Sequence, residues 1–242
     1  MKTVILYASI VSVFTAVANA QNANVTWNTP LTISGDSDVN NSGTLFGSWA
    51  PYNGAAASGG LVVNGVTFDA YPTHTFPGTI NNTLDNGGGN GTYNSPGTSD
   101  ANYNNLLNAA TFGNTGGPYT IFWNGMTAGD TYLVQLWVND ARNIGGLRTE
   151  TITGGANTSA NLSYGSNPDG TGPGQFVIGT FVADGTGSET LTLLANGYAP
   201  SAQFDLLQVR DITPAPEPST LAVLAMGTGA MLFGFRRKNR AA

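Results

Sequence analysis

Between residues 21 and 213 the chain cannot hold one conformation for long, because clusters of Gly, Asn, Thr and Ser interrupt it roughly every eight to fifteen residues. Such punctuation excludes long helices and predicts short strands joined by turns, the pattern of an all-β sandwich. The runs between the turns alternate as strands do. In Thr131–Asn139, residues Tyr132, Val134, Leu136 and Val138 share one face, and Leu133, Gln135, Trp137 and Asn139 share the other. Further strands are predicted at Thr44–Trp49, Leu61–Phe68, Tyr119–Trp123, Arg148–Thr153, Gln175–Ala183, Glu189–Ala195 and Ala202–Ile212. The last three, separated by Asp184-Gly185 and Asn196-Gly197, read as a meander. Asn64-Gly65 inside Leu61–Phe68 is the strongest hairpin signal.

One short helix is expected, capped by Ser99 or Asp100 and reaching about Ala110, with Leu106, Leu107 and Ala110 inward. Before it, residues 81–98 hold Gly87-Gly88-Gly89 and almost no apolar side chain, so they read as a long loop. The chain has no cysteine, so no disulfide can staple the fold. A body of this size buries roughly two thirds of its unfolded surface, enough to stand on its core. The expected architecture is a jelly-roll-like β-sandwich over residues 21–213.

The two ends have a different character. Met1-Lys2, an apolar stretch from Val4 to Val17 and then Ala18-Asn19-Ala20 have the three parts of a secretory signal peptide, with cleavage before Gln21. At the other end Pro214, Pro216 and Pro218 form a stiff spacer. An uncharged segment follows, ending at Phe235. As a transmembrane helix over 219–235 it would rise roughly 26 Å, just short of a ~30 Å hydrocarbon core. Arg236, Arg237, Lys238 and Arg240 then place its end on the cytoplasmic side. Both ends put residues 21–215 outside the inner membrane.

The tail resembles a known signal. Pro216-Glu217-Pro218, some fifteen apolar residues and Arg236-Arg237-Lys238 together resemble the PEP-CTERM sorting signal of Gram-negative bacteria, here residues 214–242. The resemblance implies processing by an exosortase near the Pro-Glu-Pro triplet, a transient membrane anchor, and a producer that exports extracellular polysaccharide. A second resemblance covers the body. The runs Tyr132 to Arg142, Arg148-Thr149-Glu150-Thr151, Gly174 to Thr180 and Asp205 to Asp211, with Asn64 to Phe68 upstream, are similar to exported galactose-binding-like β-sandwiches. That likeness implies a jelly roll and, by analogy, contact with sugar.

Charge and composition limit the chemistry. The body carries three arginines (Arg142, Arg148 and Arg210) against thirteen carboxylates, near −10, which would repel a phosphate backbone and excludes nucleic-acid binding. Gly35-Asp36-Ser37 has the look of a lipase opening, but the single histidine, His74, comes early and in a Tyr-Pro-Thr-His context. No catalytic residue is therefore assigned. Asp140 and Glu150 flank the Arg142–Arg148 loop and read as a salt-bridge network rather than a glycosidase pair.

Calcium is the one metal the composition allows as a structural ion, with Asp36, Asp38 and Asn40 on alternate positions as its candidate ligands. Trp49, Tyr52, Tyr71 and Tyr93, in or beside loops, are the candidates for a sugar-stacking platform, whereas Trp123 and Trp137 read as core.

The expectation is an exported envelope or matrix protein without enzymatic activity, a carbohydrate-binding or polysaccharide-associated module. Its expected partners are the Sec translocon, signal peptidase, an exosortase, the membrane and extracellular polysaccharide. The alternatives are a structural surface or biofilm protein without a specific ligand, and, third, a polysaccharide-active enzyme.

Overall fold

The computed structural model describes residues 22–51, 60–69, 76–84, 86–88 and 93–215. They form an all-β sandwich with one short helix. The first sheet runs Thr26–Trp27, Gln175–Val182, Thr131–Val138, Leu206–Asp211 and Thr44–Trp49, with Leu31–Thr32 also on Gln175–Val182. The second runs Asn157–Thr158, Arg148–Gly154, Ser188–Gly197, Tyr119–Asn124 and Ile80–Asn82, with Leu162–Ser163 also on Arg148–Gly154. Every pairing in both sheets is antiparallel.

From Thr131 onward the chain alternates between the sheets with each long strand. The expected meander is therefore not formed. Gln175–Val182 and Leu206–Asp211 both flank Thr131–Val138, whereas Ser188–Gly197 belongs to the opposite sheet. The turn at Asp184-Gly185 and the bend that follows Gly197 carry the chain across the sandwich, which is the jelly-roll path and not a hairpin within one sheet, while Asn196-Gly197 still pairs in the strand Ser188–Gly197.

Between the sheets lies the main core. Trp49, Tyr132, Val134, Leu136, Val177, Phe181, Leu207 and Val209 of the first sheet meet Ile121, Trp123, Ile152, Leu191 and Leu193 of the second. The first sheet is also covered on its other face. There Trp137, Phe176 and Leu206 pack with Ile33, Val39, the hairpin residues Val63, Val66 and Phe68, and the helix residues Tyr103, Leu106 and Leu107. Double coverage explains why Thr131–Val138 is buried from Tyr132 to its end. A strand packed on both sides reads as a nearly continuous apolar run, and here Gln135 alone interrupts it.

The smaller elements follow their sequence signals. In the hairpin Leu61–Val63/Val66–Phe68, Asn64 (φ 46°) and Gly65 (φ 75°) both take the left-handed conformation of a type I′ turn. Asp100 caps the helix by accepting the Tyr103 amide at 2.6 Å. The helix spans Ala101–Leu107 and stops short of Ala110, which begins the strand Ala110–Phe112. Part of the segment read as a loop is also strand: Ile80–Asn82 and Asn86–Gly88 pair at sheet edges. Ile80 and Leu84 are the apolar side chains that this stretch buries, and the Asn and Gly residues around them are held by backbone pairing, so a hydrophobic pattern misses the edge strands.

Candidate functional site

The richest polar constellation sits where Thr131–Val138 leaves the first sheet and Arg148–Gly154 enters the second. Arg142 grips Asp140 with Nε at 2.7 Å and Nη2 at 2.5 Å, and Arg148 forms an ion pair with the same carboxylate. Each guanidinium also lies over a ring, Arg142 at 4.5 Å from the Tyr93 centroid and Arg148 at 4.9 Å from that of Tyr164. The Tyr164 hydroxyl donates to Glu150 Oε2 at 2.7 Å, and the Gln203 amide donates to the same oxygen at 3.1 Å. Asp205 Oδ2 accepts the Asn139 amide at 2.6 Å. The Asn139 side chain in turn ties Asn94, Leu107 and Gly174 together.

This cluster is sealed. Asp140, Glu150, Asp205, Asn139 and Gln203 are buried, and only Arg142 reaches solvent appreciably. Burial dominates the titration of the two inner carboxyls, because a charged form there would lose its hydration. It pushes Glu150 up to about 8 against the pull of Tyr164, the Gln203 amide and Arg148. Asp205 moves well above the usual carboxylate range for the same reason. Acid–base work on a polymer needs carboxyls that substrate can reach. What the geometry performs instead is cross-linking, since the residues tie both sheets to the loops at one end of the sandwich. Of the salt-bridge network expected from the sequence, Asp140 pairs with both arginines, whereas Glu150 forms no ion pair among the described residues and is held instead by Tyr164 and the Gln203 amide.

The aromatic platform is not formed by the described residues. Trp49 is 1% exposed and packs edge-on to Phe204 at 5.0 Å, while Tyr93 is 3% exposed beneath Arg142. Their position beside loops misled the sequence reading, because the small sheet Gln203–Phe204/Ala110–Phe112/Asn86–Gly88 and the Arg142 loop cover them. Tyr52 and Tyr71 lie outside the described residues. The one ring among the described residues that stands out in solvent is Tyr198, 54% exposed, which the sequence reading passed over. Its signal was the Asn196-Gly197 dipeptide immediately before it, which the structure places at the end of the strand Ser188–Gly197.

The Asp36–Asn40 segment is likewise committed to the fold. Asp36–Asp38 is a 3-10 turn in which the Asp38 carboxylate accepts the Ser34 amide at 2.7 Å, the Ser34 hydroxyl at 2.7 Å and the Gly35 amide at 3.1 Å. The Asn40 side chain accepts the Ser42 amide at 2.8 Å. The carbonyls of Asn41, Ser42 and Gly43 accept from Arg210, so a guanidinium holds this loop. Asp38 and Asn40 are satisfied by their own turn, and among the described residues no group of three His, Cys, Asp or Glu is placed to hold a metal.

Two surface features remain. A shallow groove of about 340 Å³ runs along the edge of the first sheet past Asn24, Thr26, Thr131, Thr180 and Val182, with no titratable side chain in its wall. Among the described residues, the outward positions of Tyr119–Asn124, Arg148–Gly154 and Ser188–Gly197 in the second sheet are partly or fully exposed and carry no charge. Thr158, Thr153, Thr192 and Thr120 follow one another across four strands, and Thr83 continues the row through its hydrogen bond to the Thr120 amide.

The expected signal-cleavage residues Ala18, Ala20 and Gln21, His74, the triplet Pro216, Glu217 and Pro218, the expected transmembrane helix and the basic Arg236, Arg237 and Lys238 lie outside the described residues. Among the described residues no helix is long and apolar enough to cross a membrane.

Comparison with known proteins adds one sequence match. Residues 214–238 match the model of the PEP-CTERM protein-sorting motif. The motif implies an exported, envelope-targeted protein with an exosortase as its processing partner. No curated protein matches the chain. Among solved structures, the plant receptor-like kinase ANX2 is similar at 14% identity and a TM-score of 0.47, covering 72% of this chain and 51% of that one. The ANXUR1 extracellular domain from Arabidopsis thaliana is similar at 12% identity and a TM-score of 0.40, with 72% and 51% covered. An exo-β-1,3-galactanase from Phanerochaete chrysosporium, solved with galactose, is similar at 17% and 0.28, with 57% and 30% covered. The chain spans about half the length of the plant proteins it matches.

Proposed function

We propose that this chain is a non-catalytic, polysaccharide-associated protein of the cell envelope or extracellular matrix of a Gram-negative bacterium. In this reading residues 1–20 direct export through the Sec translocon and are removed by signal peptidase, and the tail anchors the chain transiently before the exosortase acts.

The observation that carries the reading is the open face of the second sheet. Its outward positions on Arg148–Gly154, Ser188–Gly197 and Tyr119–Asn124 are hydroxyls, amides and a few apolar side chains, with no charge among them. That neutrality stands in a body near −10. Hydroxyl and amide groups exchange hydrogen bonds with sugar hydroxyls one for one, each weakly, and a polymer gathers many such contacts. The sealed state of Glu150 and Asp205 supports a role without turnover.

The alternative, a structural surface protein without a specific ligand, draws its support from the burial of Trp49 and Tyr93. Affinity electrophoresis of the full chain in gels cast with the producer's own exopolysaccharide separates the two. Retarded migration with no release of reducing ends supports association without catalysis. Unretarded migration leaves the structural role, and released sugar would establish an enzyme.

A further inference from the structure

One corner of the open face differs from the rest of it. The register of Arg148–Gly154 against Ser188–Gly197 sets Thr149 opposite Asn196 and Thr151 opposite Leu194. The Tyr198 amide donates to the Leu147 carbonyl at 3.0 Å, which extends the ladder beyond the strand ends by one more pair. All six side chains face away from the core, with Leu147 40%, Leu194 44% and Tyr198 54% exposed.

The Tyr198 ring is also held. A Cβ built on Gly146 would lie 2.7 Å from Tyr198 Cβ and Cγ, closer than side chains tolerate. The ring therefore lies against the bare Gly146 backbone, which leaves its other side to solvent. A ring fixed in this way loses little freedom when something stacks on it, so binding costs less than at a freely rotating tyrosine.

We propose that Tyr198, Leu147 and Leu194, with the hydroxyls and amide of Thr149, Thr151 and Asn196, form a binding surface for a neutral polysaccharide chain. This rests on the polysaccharide-associated reading given above and assigns it a place. A pyranose ring has apolar C–H faces and a polar hydroxyl rim. The faces suit the aromatic ring and the leucines, and the rim suits the threonines and asparagine beside them. The three pairs stand about 6.8 Å apart along the strands, so one chain crossing them meets several sites at once. Charge selects the glycan. The face offers no cation to a carboxylated or sulfated polymer, and the body near −10 repels one.

The test uses the full chain in mild detergent, with hydroxyethyl cellulose, dextran, alginate and the producer's exopolysaccharide as gel-embedded probes. The expected result is retardation by at least one uncharged polymer, weakened at least tenfold by Tyr198→Ala, preserved by Tyr198→Phe, and absent on alginate. Gly146→Val should mimic Tyr198→Ala by displacing the ring. A melting temperature within a few degrees of the parent shows that Tyr198→Ala, at an exposed site, leaves the fold intact.

If the parent chain is retarded and Tyr198→Ala is retarded equally, the assigned surface is wrong while polysaccharide association stands. If no polymer retards the parent chain, both the surface and the association fail. If the parent chain instead sediments as a dimer that Tyr198→Ala dissociates, the patch is an interface between copies and the glycan surface is overturned.

Discussion

The two sheets of this sandwich are built from similar alternating runs and end in opposite situations. In the first, Thr131–Val138 is packed on both faces, and the second face holds a polar row of Ser48, Gln208 and Gln135 inside apolar surroundings. Each glutamine there is engaged. Gln208 Nε2 donates to Gln135 Oε1 at 2.7 Å and to the Asn40 carbonyl at 2.9 Å. Gln135 Nε2 donates to the Asp38 carbonyl at 2.7 Å, and its Oε1 accepts the Asn40 amide at 3.0 Å. In the second sheet, Arg148–Gly154 alternates strictly between buried and partly exposed, and its outward threonines meet water. Polar residues thus do opposite things: under cover they fasten a loop to the sheet, and in the open they form the surface. Coverage by the helix and hairpin makes the difference.

If that contrast is right, truncation should hurt far more under the cover than in the open. Trp137→Ala removes a fully buried ring that contacts Phe68 and Phe176 and donates to the Tyr103 hydroxyl at 2.7 Å. The expected loss is about 3–5 kcal/mol, read as a lowered denaturation midpoint with the chain still cooperative. A loss below about 1 kcal/mol would mean that the helix and hairpin do not close this face.

The next effect concerns the polar end that joins the sheets. Glu150 is raised to about 8 in the folded chain against an ordinary 4.5, chiefly by burial. The folded state therefore holds a proton that the unfolded state has released between those values. Stability contributed by Glu150 is complete below about 4.5, falls as pH rises, and is gone above about 8, at up to about 1.4 kcal/mol per pH unit. Asp205 and Glu189, both raised by burial, act in the same sense. Thermal melts between pH 4.5 and 8 should show a falling midpoint, and Glu150→Gln should flatten the slope by about one proton. An unchanged slope in that variant would place the titration elsewhere.

Much of this was legible in the chain. Strand positions followed from period-2 alternation, the hairpin from Asn64-Gly65, and the helix start from Asp100, because each is set by local backbone preference. The partners of those strands were not legible: Asp184-Gly185 looks the same whether a turn closes a hairpin or crosses the sandwich. Nor was coverage. Trp49 and Tyr93 sit beside loops in the sequence, and only the fold shows what lies over them. The carboxylate pattern of residues 36–40 suggested a cation, yet Arg210, some 170 residues later, supplies the positive charge to the neighbouring carbonyls.

Gln135→Ala sharpens the comparison at smaller scale. It leaves the Asn40 amide, the Asp38 carbonyl and Gln208 each without one partner, and should cost about 1–3 kcal/mol. Gln135→Ala combined with Gln208→Ala should cost less than the sum of the single losses, since one lesion already breaks the shared bond. Additive losses in a double-mutant cycle would show that the two side chains act independently.

The smallest effect belongs to the open face, and its smallness is the point. Thr192 stands between Thr153 and Thr120, and Thr153 shares a 2.9 Å hydroxyl contact with Thr158. Thr192→Ala should cost at most about 0.5 kcal/mol, because water replaces whatever hydrogen bond the hydroxyl made and only strand preference is lost. The charged exchange Thr192→Lys should also leave the melting temperature nearly unchanged, since that side chain is partly exposed on the outward face of its strand. A large loss from either substitution would mean that this face is covered in the folded chain, and the contrast between the two sheets would then disappear.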